Sequence, residues 1–251
     1  MRDKIKSQNP LILNITNHVT MEFIANGLLS LGASPIMSLA QQESEDLINM
    51  ASAVMINIGT LDDNFMVLAN KTAKTANQFG KPIIVDPVGA GASKYRTENS
   101  LALLNNYKID ILKGNASEIL ALSGLNIITK GVDSTADSQY AIDAGQLLSQ
   151  KYQCAVVISG KTDIVIDHHE INLSHYGSPL MTRIVGTGCL LSAVVAAFRA
   201  VEANRFMACK EAVMFYGICG EFAAHKTKIP SHFKNYFLEA LHANTFSPVC
   251  A

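Results

Sequence analysis

The chain predicts a single three-layer α/β/α domain with a central, mostly parallel sheet and a small antiparallel hairpin at the sheet's edge. Three observations predict it. Continuous apolar runs at residues 53–59 (AVMINIG), 82–88 (PIIVDPV), 109–115 (IDILKGN) and 155–160 (AVVISG) suit strands covered on both faces. Longer amphipathic or small-residue segments lie between them, the alternation of a parallel sheet wrapped in helices. Two alternating runs, DIVIDHH and EINLSHYG, meet at His168, His169 and Glu170 and read as an edge hairpin.

Helices are expected at residues 20–32, 63–80, 116–124 and 135–152. The first, second and fourth close at or just before a glycine or a new strand. After the hairpin a polar strand opening at Met181 is expected to run into the turn VGTGC. The remainder reads as helices over residues 189–205, 206–226 and 232–244.

No repeat, low-complexity tract or linker divides the 251 residues, so the expectation is one domain over 1–251. A domain of that size buries roughly 75% of its unfolded surface and needs no staples. The net charge of −1 argues against a general nucleic-acid or membrane-surface binder. Cys154, Cys189, Cys209, Cys219 and Cys250 form no CxxC pair, and their odd number suits reduced thiols of a cytoplasmic protein. The start is basic, but its apolar run LILNI is too short for a signal peptide, and no run suits a membrane span.

Ligands of open α/β sheets bind beyond the carboxyl ends of strands, which singles out three motifs. Asp86, before Pro87 and a glycine loop, reads either as a carboxylate that holds Mg²⁺ or as the Asp of a turn. Asn115 and Glu118 have the spacing of a capping box, and Lys113 just before them suits a phosphate as a point charge. Gly186 and Gly188 allow close backbone approach at a helix start, the makings of an anion hole, or simply a tight turn.

Near the N-terminus, Asn14, Asn17 and Asn26 could bind a small polar ligand walled by Met37, or serve only capping and packing. His168, His169 and His175 read as solvated side chains of the hairpin rather than metal ligands. Two nucleotide fingerprints fail: SGKTD has Ala155 where a P-loop needs glycine, and neither GTGCLL nor GAGASK completes GxGxxG.

In order along the chain, NPLILNITNHVTMEFIANGLLSLGASPIMS, INIGTL, DPVGAGASKYR, KGNASEILALSG, GVDS, GSPLM and VGTGCLLSAVVAAF resemble the hydroxyethylthiazole kinase family of the ribokinase-like superfamily. The resemblance thins past residue 225. It implies ATP- and Mg²⁺-dependent phosphorylation of the primary alcohol of 5-(2-hydroxyethyl)-4-methylthiazole, in thiamine biosynthesis or salvage. By matching motifs it implies thiazole contacts at Met37, Gly186 and Asn17, and nucleotide contacts at Lys113 and Ser159. Asp86 and Glu118 fall at its acidic positions for Mg²⁺ and phosphates, the metal being held directly or through water. It also implies a homotrimer with thiazole sites between subunits.

Two departures stand out. Lys113 replaces an arginine common in relatives, removing a two-pronged grip on phosphate, and KIPSHF lacks the glycines of a GPGSF-like segment. Cys189 stands where the wider superfamily places the aspartate base of a GAGD-like motif. A helix N-terminus lowers a thiol's pKa, which makes Cys189 a weak or optional base, or a packing residue. The rival readings are a hydroxymethylpyrimidine kinase of the same superfamily, a cysteine-nucleophile hydrolase using Cys189, and a non-catalytic thiazole- or nucleotide-binding protein.

Overall fold

A computed structural model describes residues 1–125 and 134–243. Cys250, Asn244 and residues 131–133 of the GVDS block lie outside the described residues.

The first half of the chain alternates helix and strand: α1 (Arg2–Gln8), β1 (Leu11–Ile15), α2 (Met21–Leu31), β2 (Ser34–Met37), α3 (Ser44–Met50), β3 (Ala53–Asn57), α4 (Asp63–Gln78) and β4 (Ile83–Asp86). There follow α5 (Lys94–Asn106), β5 (Ile111–Asn115), α6 (Ala116–Ser123), α7 (Ser134–Tyr152) and β6 (Ala155–Ser159). The hairpin is β7 (Asp163–Asp167) with β8 (Glu170–Ser174). A 3-10 turn (Pro179–Arg183) then leads into α8 (Thr187–Val201), α9 (Arg205–Lys226) and α10 (Pro230–His242).

The eight strands form one sheet in the order β2-β1-β3-β4-β5-β6-β7-β8. Every pairing from β2 to β6 is parallel, and β6–β7 and β7–β8 are antiparallel. Alternate residues of each strand feed opposite layers. Ile12, Met55, Ile84 and Ile111 pack with α1, α2, α8, α9 and α10. Leu13, Ile56, Val85 and Leu112 pack with α3 to α7. β3 is buried along its whole length, as a strand covered on both faces must be.

Three expectations are corrected. The polar strand before VGTGC is a 3-10 turn, because Pro179 removes a ladder donor and Ser178 caps the Leu180 N–H at 3.3 Å. β1 and β2 are additional strands: Asn14 interrupts the apolar run of β1, and Pro35 sits in β2, which tolerates it as the sheet's edge. The helix after the glycine turn starts at Thr187 rather than near Cys189. Helices α1, α3 and α5 also go beyond the sequence reading; the first two are only seven residues long.

Candidate active site

Strand register brings the polar strand ends together. Asn57 at the end of β3 pairs in register with Asp86 at the end of β4. The period of two turns Asn57, Asp86 and Lys113 to the face that carries Met55, Ile84 and Ile111, the face that α8 covers. Asp86 is 1% exposed, and among the described residues its side-chain hydrogen bonds and ion pair all meet one oxygen, Oδ2. The Asn57 amide donates to it at 2.8 Å and the Ser192 hydroxyl at 2.7 Å, while Lys113 Nζ stands 3.9 Å away. Burial is the largest influence on this carboxyl and pushes its pKa up, against the pull of Lys113 and the two donors.

Glu118 makes the capping box that its spacing predicts. Its N–H donates to Asn115 Oδ1 at 3.0 Å, and its Oε2 accepts the Asn115 N–H at 2.8 Å. Its other oxygen accepts the Gly89 N–H at 2.8 Å, which ties the glycine loop after Asp86 to the start of α6. Arg96, from the same motif, ties that loop to the segment that follows β3. Its guanidinium donates to the carbonyls of Ile58, Val88 and Gly59 at 2.9, 2.8 and 2.9 Å.

The glycine turn lies across the sheet ends from these groups. Gly186 is the N-cap of α8 at φ 93°, in the left-handed region, and a Cβ there would stand 2.8 Å from Thr20 Cγ2. No side chain caps this helix, so the N–H groups of its first turn are left for an anion. Lys113, 4% exposed, meets the same turn by donating to the Gly188 carbonyl at 3.0 Å. Tyr216 donates to the Thr187 carbonyl at 2.7 Å and fixes the same turn from α9.

A cavity of about 640 Å³ opens here, lined among others by Ser159, Gly160, Asp163, Tyr176, Gly188 and Tyr216. It runs from the end of β6 to the helix start, large enough for a nucleotide-sized ligand. Ser159 sits at its rim, with its hydroxyl 3.5 Å from the Gly114 carbonyl. Met37, at the end of edge strand β2, packs half-buried on the layer that holds α8. Asn17 is turned inward to Asn57 and Cys189, and Gly186 packs against Thr20 and Phe23 of the same N-terminal segment.

The Hydroxyethylthiazole kinase family model matches residues 3–246 of this chain. The chain belongs to the hydroxyethylthiazole kinase family. It is 42% identical over 239 residues to the hydroxyethylthiazole kinase of Brachyspira hyodysenteriae, spanning 95% of this chain and 90% of that one. With that of Syntrophus aciditrophicus it shares 45% over 242 residues, spanning 96% and 90%. Among solved structures, the hydroxyethylthiazole kinase protein of Pyrococcus horikoshii OT3 superposes with a TM-score of 0.89 at 37% identity, covering 96% of this chain and 91% of that one. The pyridoxal kinase of Staphylococcus aureus in complex with ADP shares the fold, with a TM-score of 0.62 at 16% identity over 82% of this chain and 86% of its own.

In this member of the hydroxyethylthiazole kinase family, the thiol of Cys189 departs from the lowered pKa expected of a helix N-terminus. Burial, followed by the charge of Asp86, pushes it up, and these outweigh Lys113, the Asn57 amide and the Thr20 hydroxyl. The Asn17 amide also donates to it, at 3.4 Å. Of the hairpin histidines, His168 meets Arg205 at 3.2 Å, away from the site, whereas the exposed His175, 3.2 Å from Thr162, lines the cavity. Three polar residues of the site, Asn57, Ser192 and Arg96, were not singled out by sequence reasoning. A signal existed for Asn57, as a lone amide in an otherwise apolar buried strand.

Proposed function

We propose that this chain transfers the γ-phosphoryl group of ATP to the primary alcohol of 5-(2-hydroxyethyl)-4-methylthiazole in a Mg²⁺-dependent reaction. The observation that carries this reading is the meeting of three features at Gly188: an uncapped helix start, a buried Asp86–Lys113 pair and a nucleotide-sized cavity. Family membership supplies the alcohol. The first-turn N–H groups of α8 cradle the migrating phosphoryl, and the Lys113 ammonium adds positive charge beneath it. Ser159 and the cavity wall hold the nucleotide, while Met37, Gly186 and Asn17 border the thiazole and aim its alcohol in line.

Asp86 and Glu118 are the residues that would hold Mg²⁺. Among the described residues no cluster of three or more acidic, histidine or cysteine groups forms a metal cage. Two carboxylates are too few for a resident ion, yet they suit Mg²⁺ that arrives on phosphates, since it normally takes only one or two protein carboxylates. Bound there, the ion would offset the negative charge of the phosphates.

Because the transition state of phosphoryl transfer is loose, the alcohol proton can leave late, and a strong base adds only a modest factor. Cys189, a thiol with a raised pKa, serves as a weak or optional proton acceptor. That raised pKa is the reverse of what an activated cysteine nucleophile requires, which disfavours the hydrolase reading.

The proposed assembly is a cytoplasmic homotrimer with thiazole sites between subunits. Exposed Val19, Leu39 and Val185, beside Thr20, Met37 and Gly186, support it as apolar surface bordering the site. Among the described residues no helix is long and apolar enough to cross a membrane.

A coupled assay of ADP formation with hydroxyethylthiazole, with and without Mg²⁺, tests the reading. Thiazole- and Mg²⁺-dependent turnover is expected. Turnover with hydroxymethylpyrimidine alone would overturn it, as would tight binding of ATP and thiazole without any reaction.

A further inference from the structure

Asp86 is gripped by one oxygen. Asn57, Ser192 and Lys113 all converge on Oδ2, and among the described residues no hydrogen bond reaches Oδ1. Asn57 has a single orientation that satisfies its neighbours. Its Oδ1 accepts the Gly59 N–H at 2.9 Å and the Asn17 amide at 2.9 Å, which leaves Nδ2 to donate to the carboxylate. Asn17 is fixed in the same way: its Oδ1 accepts the Thr20 N–H at 3.1 Å, and its Nδ2 also reaches Cys189 Sγ at 3.4 Å.

A continuous run of side-chain hydrogen bonds therefore links the thiol at the start of α8 to the carboxylate at the end of β4. Asn17, Asn57 and Asp86 along it are 3%, 0% and 1% exposed. In so dry a setting each amide is costly to leave unpaired, so the run has one low-energy arrangement. Ser192, one turn beyond Cys189 on α8, grips Asp86 independently of that run.

We propose that Asn57 is a positioning residue for phosphoryl transfer: it holds Asp86 by Oδ2, leaves Oδ1 as the oxygen for the cation, and through Asn17 sets the place of the Cys189 thiol. The carboxylate half of this inference rests on the kinase reading; the thiol half does not. A purely structural Asn57, serving only the Gly59 N–H, would leave both the cation requirement and the thiol untouched.

Four single variants of the full chain separate these roles: Asn57→Ser, Asn57→Thr, Ser192→Ala and Asn17→Ala. Two quantities are read: the Mg²⁺ concentration for half-maximal rate, and the rate of iodoacetamide alkylation at Cys189 in ATP-free protein, followed by mass spectrometry. Residues that orient a metal's ligands are typically worth 10–100-fold, so Asn57→Ser raises the Mg²⁺ requirement about tenfold. It also slows alkylation several-fold, because the thiol loses side-chain donors that favour its thiolate: Asn57 itself, and Asn17 once Asn17 lacks the acceptor that orients it.

Ser192→Ala raises the Mg²⁺ requirement and leaves alkylation as in wild type. Asn17→Ala slows alkylation without raising the Mg²⁺ requirement, while its kcat falls because Asn17 borders the thiazole. Asn57→Thr, whose β-branched side chain suits a strand, gives both effects and serves if the serine variant folds poorly. A wild-type Mg²⁺ requirement or a wild-type alkylation rate in the folded Asn57 variants overturns the proposal. So does faster alkylation of the Asn57 variants, since that is general loosening. Ser192→Ala slowing alkylation as much as they do also overturns it, since the effect then does not run through the amides. Wild-type protein without thiazole-dependent ADP formation removes the kinase reading instead, and the alkylation rates still judge the amide link.

Discussion

Lys113 donates to the carbonyl of Gly188 at 3.0 Å and so pins the end of β5 to the start of α8. The same ammonium lies 3.9 Å from Asp86 Oδ2, with both side chains almost wholly buried. Removing one member of such a pair leaves the other charge uncompensated, typically by 3–5 kcal/mol. Lys113→Met is expected to lose about 3 kcal/mol, the lower end, because its closer contact is to a carbonyl. Urea denaturation measures this, and adding Asp86→Asn to the variant should restore a good part of the loss.

Gly186→Ala tests the turn itself. A left-handed backbone costs an L-residue about 1–2 kcal/mol, and here the new methyl also meets Thr20 and Phe23. Lower stability together with at least a tenfold fall in kcat is expected, because the first turn of α8 must shift. Unchanged kcat in the folded variant would show that the turn does not cradle the phosphoryl group.

Cys189→Ala is expected to keep a measurable fraction of activity, and Cys189→Asp to be active. A well-matched base contributes about 10²–10⁴. A thiol pushed up by burial supplies much less of that at neutral pH. Steady-state rates of the two purified variants decide this, and an inactive but folded Cys189→Asp would count against any proton-accepting role at the position.

Asp163 predicts a pH effect. It lines the cavity and accepts the Gly160 N–H at 2.9 Å, yet burial pushes its pKa up to about 6. A carboxyl raised on folding binds its proton more tightly in the folded state. Its contribution to stability therefore rises as pH falls from above 6 toward 4, and above 6 it is a net cost. Asp163→Asn keeps an acceptor for Gly160, so it should stabilise the protein by about 1–2 kcal/mol at pH 7.5 and by little at pH 4.5. Denaturation midpoints at the two pH values provide the check.

Arg96→Lys should not substitute for the guanidinium. One ammonium cannot reproduce the planar grip on the carbonyls of Ile58, Val88 and Gly59. A loss of about 2 kcal/mol and a reduced kcat are expected, measured by denaturation and turnover.

The central strands were legible because their apolar runs are continuous and end in polar residues at the sheet's carboxyl edge. Asp86, Glu118 and the glycine turn were found by looking just past those ends. β1 and β2 were not legible, since Asn14 and Pro35 break the pattern, and only an edge position makes the proline acceptable. The expected strand before Gly186 failed because Pro179 and Ser178 favour a 3-10 turn. Ser192 looked like one more small residue of an apolar helix, and its bond to Asp86 spans 106 positions that no local pattern can bridge. The capping box at Asn115 was visible, whereas the third bond of Glu118, to Gly89, depended on the register of β4 against β5.

The long separations within the run from Cys189 to Asp86 bear on how the molecule comes to be competent. Asn17 and Cys189 are 172 positions apart, and contacts so distant in sequence form late because they close large loops. The βα units up to β5 can assemble from local contacts, but Asp86 then faces a layer still missing α8. Docking of that one helix brings the Ser192 hydroxyl, the thiol and the uncapped N–H groups of its first turn together. The site is therefore complete only once α8 is docked.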